Sequence, residues 1–279
     1  MIKSYCKLNL SLKVLKKFFF KLHDIQTNTV LLKIHDEIEI KKIKKKKDII
    51  IFRGEFKKPI DVLKNTVLNT LEILRKENHI SKDNCYKVMI NKKIPIFSGL
   101  GGGTGNSAAL IKYFIKKKIN NKILNTFEKK IGSDLSLFFS NQSFQKNLRK
   151  IFEYKKKFTL YFILVYPNIK CSTKHIFANV KKFSQPSKKD FSRISSRIKF
   201  INLIKQERND LQKIAISKFS LIKKVLDFIS IQKGCHFSRM TGSGSVCFGM
   251  FKSEKSAILG LKTIKKKFPR YWCVVTKTI

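Results

Sequence analysis

Ser98-Gly-Leu-Gly-Gly-Gly-Thr-Gly-Asn-Ser-Ala-Ala109 is the most glycine-rich segment of this chain. It holds five of the chain's 12 glycines within seven residues, directly before an apolar periodic run that predicts a helix. A glycine loop at a helix start directs several unpaired N–H groups at one point, where the helix dipole adds positive potential. Such a loop is typical of a phosphate site. A flexible turn is the alternative, but turns rarely need so many glycines.

The composition predicts a folded protein with one large or two modest domains. The chain has 279 residues, of which 43% are hydrophobic and 11% aromatic, and this excludes wholesale disorder. The N-terminus lacks the apolar region of a signal peptide. The longest apolar run, at residues 158–166, is too short to cross a bilayer and predicts a buried strand. We therefore expect a cytoplasmic protein without a membrane partner.

The charge is extreme, with 61 Lys and Arg against 18 Asp and Glu, a formal net charge of +43. Nucleic-acid binding is one interpretation. A biased genome is the other, because Lys, Ile, Asn and Phe, the residues of A/T-rich codons, occur in every segment. The lysines are spread from end to end and do not follow an RNA-binding pattern with interleaved aromatics. We favour a biased genome as the origin of the charge, and expect no specific nucleic-acid partner.

The six cysteines form no C-x-x-C pair and no His/Cys metal spacing. They predict buried thiols in a reducing compartment and no structural metal site.

The first predicted strand covers residues 7–14, with apolar side chains at the even positions and polar ones at the odd positions. This alternation predicts a half-buried strand with a polar face. Further strands are predicted at 29–35, 37–43, 48–53 and 86–90. A helix is predicted to begin with Asp61 as its N-cap. Its apolar stripe consists of Leu63, Val67, Leu71 and Leu74. The helix after the glycine loop is predicted to end near Lys117.

The second half of the chain predicts helices at 190–204, 207–218, 220–232 and 254–267. It predicts strands at 158–166, 236–240, 246–251 and 271–277. A short helix near 123–131 should end at Gly132. Ser133 should cap a helical turn over 134–139. This turn places the Asp134 carboxylate near helix N–H groups. The pattern indicates an α+β fold. We expect two domains, 1–150 and 151–279.

Three known phosphate-binding patterns fit the glycine loop poorly. No Gly-Lys-Ser/Thr follows it, as a Walker A motif requires. A dinucleotide fingerprint can be placed on Gly103–Ala108, but no acidic residue closes a second strand about twenty residues later. The His-Arg-Asp and Asp-Phe-Gly signatures of protein kinases are absent.

Three segments in order resemble the motifs of the GHMP small-molecule kinases: Lys7–Leu12 the first, Gly99–Ala109 the second, and Met240-Thr-Gly-Ser-Gly-Ser-Val246 the third. The resemblance implies an N-terminal domain like ribosomal protein S5 domain 2 and a ferredoxin-like C-terminal domain. It also implies that the second motif binds the phosphates of ATP, with Mg²⁺ bridging them.

Within the family, the resemblance extends to a branch that phosphorylates a small-molecule substrate, a cytidylated methylerythritol, in the non-mevalonate route to isoprenoids. The segments similar to that branch are Leu22–Thr27, Gly132–Phe139, Tyr166-Pro167, Ile176-Phe177 and Asn209–Leu211. A homoserine or mevalonate type of GHMP kinase is an alternative. A polyanion-binding protein on a degenerate kinase scaffold is another.

The resemblance also implies roles for individual residues. Asp134 would be the base that accepts the proton of the substrate's 2-hydroxyl, with the catalytic Lys7 beside it. The implied ATP-binding residues are Asn65, Pro95, Gly99, Leu100, Gly101, Gly102, Gly103, Thr104, Gly105, Asn106 and Ser107. The implied substrate-binding residues are Asn9, His23, Phe177, Thr241, Gly242, Ser243 and Gly244.

The chain departs from the family pattern at several positions. Leu22 stands where the family has a stacking tyrosine, and Thr104-Gly105 where it has two serines. The segment that contains Asp134 lacks the usual proline, and 142–150 lacks a small, glycine-containing stretch.

Overall fold

The structure, a computed structural model, describes residues 1–18, 22–57, 61 and 65–279. The strands are β1 (Ile2–Lys17), β2 (His23–Ile43), β3 (Ile49–Arg53), β4 (Cys85–Asn91), β5 (Gln142–Asn147), β6 (Lys150–Glu153), β7 (Tyr161–Tyr166), β8 (Cys235–Met240), β9 (Cys247–Phe251) and β10 (Trp272–Lys277). The α-helices are α1 (Thr66–Lys76), α2 (Gly102–Phe114), α3 (Asn121–Ile131), α4 (Thr173–Ala178), α5 (Arg197–Gln206), α6 (Asp210–Lys218), α7 (Ser220–Ser230) and α8 (Glu254–Lys267). Short 3₁₀ helices cover Leu135–Phe139 and Phe191–Arg193.

The chain forms two compact units, and each of them is discontinuous in sequence. The first unit consists of Met1–Lys7, Ile34–Ile96 and Gly101–Phe139. The second unit consists of Leu8–Lys33, Phe97–Leu100 and Ser140–Ile279. The division into domains 1–150 and 151–279 stays a prediction about the chain, while these units describe how its residues pack.

In the first unit, β3 pairs in parallel with β4, and β4 pairs antiparallel with the C-terminal part of β2. The predicted stripe of α1 is buried at Val67, Leu71 and Leu74, while Leu63 lies outside the described residues. The predicted N-cap Asp61 is wrong. Asn65 has an extended backbone and its side chain accepts from the N–H groups of residues 67 and 68, so the helix begins four residues later.

In the second unit, four antiparallel strands form a sheet in the order β10-β7-β9-β8. Along the chain these strands are connected as β7, helices, β8, β9, α8, β10, which is the ferredoxin-like arrangement. Apolar residues of α6, α7 and α8 pack with residues of β7 and β9 in one buried cluster. The predicted ferredoxin-like fold is therefore confirmed for this part of the chain.

Several predicted elements differ from the observed ones. The strands predicted at 29–35 and 37–43 are one continuous strand, β2. The helix of the glycine loop ends at Phe114, before the lysine run, and the turn at 134–139 is a 3₁₀ helix. The β5–β6 hairpin and α4 were not predicted. The odd-numbered face of β1, expected to be a polar face, is buried at Lys7, Asn9 and Ser11.

None of the six cysteines forms a disulfide, and five of them are buried, as predicted. Among the described residues, no helix combines the length and apolar character needed to cross a membrane.

Candidate active site

The glycine loop ends in the uncapped start of a helix. Gly101 is the N-cap of α2 and has φ 68°, a left-handed conformation that favours glycine. A Cβ on Gly101 would lie 2.8 Å from Cζ of Phe138, so the site also lacks room for a side chain. Because the N-cap has no side chain, the N–H groups of Gly102, Gly103 and Thr104 stay available for an anion.

Lys7 and Asp134 form an ion pair beside this helix start. Lys7 Nζ donates to Asp134 Oδ2 at 2.6 Å. The Lys7 side chain is 2% exposed and that of Asp134 is 42% exposed. A Cβ on Gly101 would lie 3.7 Å from Lys7 Cε, which places the lysine stem against the loop. The first unit thus brings together a buried ammonium, an accessible carboxylate and free helix N–H groups.

The segment around Asp134 is held by the end of α3. Gly132 ends that helix, and its carbonyl accepts from Leu135 N at 3.2 Å. The Asp134 carboxylate pairs with Lys7, which the resemblance placed beside it. Within the turn, Glu128 Oε1 accepts from Ser136 N at 3.3 Å and from Ser136 Oγ. Burial raises the pKa of Glu128, and the hydrogen bonds from Ser136 oppose that shift.

Gly105, Asn106 and Ser107 lie inside the first turns of α2 and are buried. Gly105 N donates to the Gly101 carbonyl, and a Cβ on Gly105 would lie 3.0 Å from Phe138 and 3.1 Å from the Tyr5 carbonyl. A side chain at Gly105 would require these neighbours to shift. Phosphate contacts by these three residues stay a prediction, since their observed contacts are with the protein itself.

Asn65 and Pro95 were predicted to lie on the nucleotide side. The Asn65 side-chain oxygen caps α1, at 3.0 Å from Val67 N and 3.1 Å from Leu68 N. Pro95 is buried in the segment that leads to the glycine loop. Thr66, which the sequence did not indicate, donates from Oγ1 to the Gly103 carbonyl at 3.0 Å. It therefore connects the start of α1 to the start of α2.

In the second unit, Gly99 and Leu100 pack beside the second glycine loop. A Cβ on Gly99 would lie 2.3 Å from the Thr241 carbonyl, and one on Gly242 would lie 3.0 Å from the Gly99 carbonyl. Val246 N donates to the Ser98 carbonyl at 3.0 Å. This contact between backbones requires glycine on both sides, and it places the start of the second motif beside the third.

Asn9 and Thr241 are buried side by side in the second unit. Asn9 N donates to Thr241 Oγ1 at 2.9 Å, and Asn9 Nδ2 donates to Thr27 Oγ1 at 2.8 Å. Asn9 Oδ1 has no hydrogen-bond partner within the described part of the chain. A buried acceptor without a partner is costly, so it is a candidate for a contact with bound substrate.

The remaining residues of the second glycine loop have protein partners. Ser243 Oγ lies 2.9 Å from Thr173 Oγ1 of α4. Asn209 Nδ2 donates to the carbonyls of Met240 and Gly242 at 2.7 and 2.8 Å, while its Oδ1 caps α6. The next residue, Asp210, accepts from Val14 N at 2.8 Å. Asn209 is thus a support of the loop that was noted only as part of an Asn-Asp-Leu segment.

His23 and Phe177 contact each other in the second unit. Their ring centroids are 5.1 Å apart with an angle of 38° between the planes. His23 is buried, and its Nε2 has no hydrogen-bond partner among the residues described. Burial lowers the pKa of His23, and the charge of Lys17 lowers it further. Leu22, in place of the family's tyrosine, is exposed, and the preceding residues 19–21 lie outside the description.

Sequence reasoning missed a buried arginine, Arg239. Its guanidinium donates to the carbonyls of Leu10, Ile204, Lys205 and Glu207. Burial lowers the pKa of Arg239 to about 10, and the Glu207 carboxylate opposes this shift. It joins β1 to the end of α5. One basic residue among 61 Lys and Arg carries no signal of burial in the sequence.

Comparisons with known proteins agree with this geometry. A family profile described as "GHMP kinases C terminal" matches residues 188–270. A 4-diphosphocytidyl-2-C-methyl-D-erythritol kinase of Pelagibacter ubique (strain HTCC1062) is 33% identical over 100% of this chain and 98% of its own. The protein of the same name from Wolbachia pipientis wMel is 32% identical over 100% of both chains.

A crystal structure of 4-(cytidine 5'-diphospho)-2C-methyl-D-erythritol kinase superposes on 99% of this chain and 98% of its own, with a TM-score of 0.73 and 17% identity. At that identity the likeness supports the fold, and the predicted two-domain α+β GHMP kinase fold is confirmed. The full-length identity to the Pelagibacter and Wolbachia proteins goes further: this chain belongs to the 4-diphosphocytidyl-2-C-methyl-D-erythritol kinase family.

Proposed function

We propose that this chain is a kinase that transfers the γ-phosphoryl group of ATP to the 2-hydroxyl of 4-diphosphocytidyl-2-C-methyl-D-erythritol, in the non-mevalonate route to isoprenoid precursors. One observation carries the proposal. Lys7 and Asp134 lie 2.6 Å apart against the uncapped start of α2. This arrangement supplies a base, a cation and an anion site within one unit, as phosphoryl transfer requires.

In the proposed reaction, Asp134 takes the proton of the 2-hydroxyl as that oxygen forms a bond to the γ-phosphorus. The bond from the γ-phosphorus to the oxygen bridging to the β-phosphate breaks, and ADP leaves with the electron pair. Lys7 holds the Asp134 carboxylate in place, and its ammonium offsets negative charge on the phosphoryl group. Most of the rate gain comes from positioning, since phosphoryl transfer needs little covalent participation by the protein.

The residues at the start of α2 fit the phosphates of ATP. Gly101 leaves a cradle that a Cβ would fill, and the N–H groups that follow point out of the helix without a capping side chain. The described residues contain no group of three His, Cys, Asp or Glu side chains suited to a metal. We therefore assign Mg²⁺, which binds few protein ligands and mainly phosphate and water, to the nucleotide. It would neutralise phosphate charge.

The substrate-binding role of the second unit is part of the same proposal. Asn9 Oδ1 and His23 Nε2 are buried polar atoms without hydrogen-bond partners among the described residues. His23 would bond to the cytosine and Phe177 would stack on it. Thr241, Gly242, Ser243 and Gly244 would line the substrate. The cytoplasmic location stays a prediction.

The test is a coupled assay for ADP with ATP·Mg²⁺ and three alcohols in parallel: the cytidylated methylerythritol, homoserine and mevalonate. We expect ADP only with the first, and a ³¹P NMR signal of a monophosphate ester at its 2-position. Turnover of another alcohol without turnover of the cytidylated one would refute the substrate. Tight RNA binding at physiological salt, without kinase activity, would support the polyanion-binding alternative.

A further inference from the structure

A second lysine–aspartate pair lies beneath the glycine loop, and the proposed reaction does not use it. Lys92 Nζ donates to Asp36 Oδ2, and the two side chains are 2% and 0% exposed. A Cβ on Gly102 would lie 3.3 Å from Lys92 Nζ, so the ammonium lies against the first residue of α2. The Asp36 carboxylate cannot accept a proton from a ligand, because it is completely covered by protein.

Asp36 also holds the segment that leads into the loop. Its Oδ1 accepts from Lys93 N at 2.8 Å and from Ile94 N at 3.0 Å. One carboxylate on β2 therefore fixes two consecutive backbone N–H groups and the ammonium of the preceding residue. These bonds restrict the path of the chain as it leaves β4 for the glycine loop.

Asn106 closes the network from the side of α2. Its amide, oriented so that nitrogen faces acceptors, donates to Ser4 Oγ at 2.9 Å, Asp36 Oδ2 at 3.1 Å and the Gly102 carbonyl at 3.2 Å. Its oxygen accepts from Lys92 Nζ at 3.3 Å. The network thus joins β1, β2, the end of β4 and the first turn of α2, all within the first unit.

We propose that Asp36, Lys92 and Asn106 are positioning residues that fix the start of α2 for binding the phosphates of the nucleotide. A buried charged pair is weak evidence for stability, since apolar residues of similar volume serve a core as well. Such a pair is useful where it must hold the neighbouring groups in a single arrangement. Here it fixes the N–H groups of Gly102 and its neighbours, which must converge on the phosphates. The inference rests on the proposed function, because it assumes that the nucleotide phosphates bind at this loop.

The test compares ADP with adenosine, which lacks phosphates, by calorimetry on the full chain. The main variant is Asp36→Asn with Lys92→Met, which removes both charges together and keeps an acceptor for the N–H groups of Lys93 and Ile94. We expect its Kd for ADP to rise about tenfold, with adenosine affinity unchanged. KM for ATP should rise by the same factor while kcat changes less than threefold.

The matched control is the neighbouring pair of Lys93 and Glu37, whose Nζ–Oε1 distance is 2.6 Å and whose lysine is exposed. Lys93→Met with Glu37→Gln should leave ADP affinity within twofold of the unmodified chain. Asn106→Ala keeps the ion pair and tests the positioning role if the double variant does not fold. Its Kd for ADP should rise about fivefold. Unchanged ADP affinity in the folded variants overturns the positioning role, whereas no ADP binding by the unmodified chain overturns the proposed function.

Discussion

The first unit contains two lysine–aspartate pairs that differ in the exposure of the carboxylate. In the pair of Lys7 and Asp134 the carboxylate is 42% exposed, whereas in the pair of Lys92 and Asp36 it is fully buried. Both lysines are buried, and both lie against the start of α2. A reactive pair needs a base with an exposed face, whereas a pair with a buried carboxylate can act only on the protein groups around it.

The largest expected effect is on the open carboxylate. Asp134→Asn keeps the shape of the side chain but removes the proton acceptor, so kcat should fall by about 10²–10⁴-fold. The affinity for ADP should stay within about twofold, because the phosphate site lies at the start of α2. Steady-state kinetics and calorimetry measure the two quantities. Glu72→Gln, at an exposed carboxylate of α1, is the control and should be fully active. Full activity of Asp134→Asn would refute the base assignment.

The second prediction compares the two lysines by stability. Lys7→Met should lower the free energy of unfolding by less than about 1 kcal/mol, because water can solvate the exposed Asp134 carboxylate. Lys92→Met should lower it by about 3–5 kcal/mol, because Asp36 is left as a buried charge without its partner. Urea unfolding of both variants gives the comparison. Equal losses would show that exposure does not separate the pairs. Lys7→Met should nevertheless lose activity by about 10²-fold, since it removes charge stabilisation.

The third prediction concerns Glu128, which supports the segment of the open pair. Glu128→Ala removes the acceptor for Ser136 N and Oγ. We expect a loss of about 1–2 kcal/mol in unfolding free energy and a fall in kcat of about tenfold, because Asp134 is held less firmly. Glu128→Gln keeps an acceptor and should restore kcat. Lys129→Ala, on the same helix, is the control.

The pKa shift of Glu128 adds a pH dependence to this prediction. Burial raises the pKa of Glu128 in the folded chain above its ordinary value. As the pH rises from the ordinary pKa of a glutamate to the raised pKa of Glu128, the side chain in the unfolded chain loses its proton first. The contribution of Glu128 to stability is therefore lost as the pH rises. The unfolding free energy of Glu128→Gln relative to the unmodified chain should therefore increase from pH 4 to pH 7. A constant difference would contradict the raised pKa.

The open pair was predicted from the sequence and the buried pair was not. The resemblance identified Lys7 and Asp134 because they stand in segments that are similar to segments of the family. The glycine loop is recognised by its number of glycines. Lys92 stands in a lysine-rich chain, where a lysine carries no signal of burial. Its environment arises from β1, β2 and α2, which are distant in sequence. Residue type therefore predicted the chemistry, while the supporting network depends on tertiary packing.

The elements of the fold show the same difference between features predicted from local sequence and features that depend on tertiary packing. Strands and helices with clear periodicity were predicted within a few residues. The β5–β6 hairpin was missed because three of its four buried side chains, those of Gln142, Ser143 and Gln145, are polar. Gln142 bonds through both side-chain atoms to the backbone of Phe158, and Ser143 Oγ lies 2.9 Å from Thr29 Oγ1. No alternation of apolar residues marks such a strand. Similarly, Asp61 and Asn65 are both good N-caps by type, and local sequence does not choose between them.

The smallest effect is expected at His23, which extends the comparison to a buried ionisable group whose Nε2 lacks a hydrogen-bond partner among the described residues. Burial and the charge of Lys17 lower its pKa in the folded chain. As the pH falls below about 6.5, the unfolded chain binds a proton before the folded chain does, so stability decreases. The loss should be below about 1 kcal/mol between pH 7 and pH 5.5, because one pKa unit corresponds to about 1.4 kcal/mol. His23→Gln should remove this slope in unfolding experiments, while His79→Gln, at a partly exposed position after α1, should keep it. An NMR titration of His23 with a pKa at or above 6.5 would show that burial without a counter-charge does not control this group.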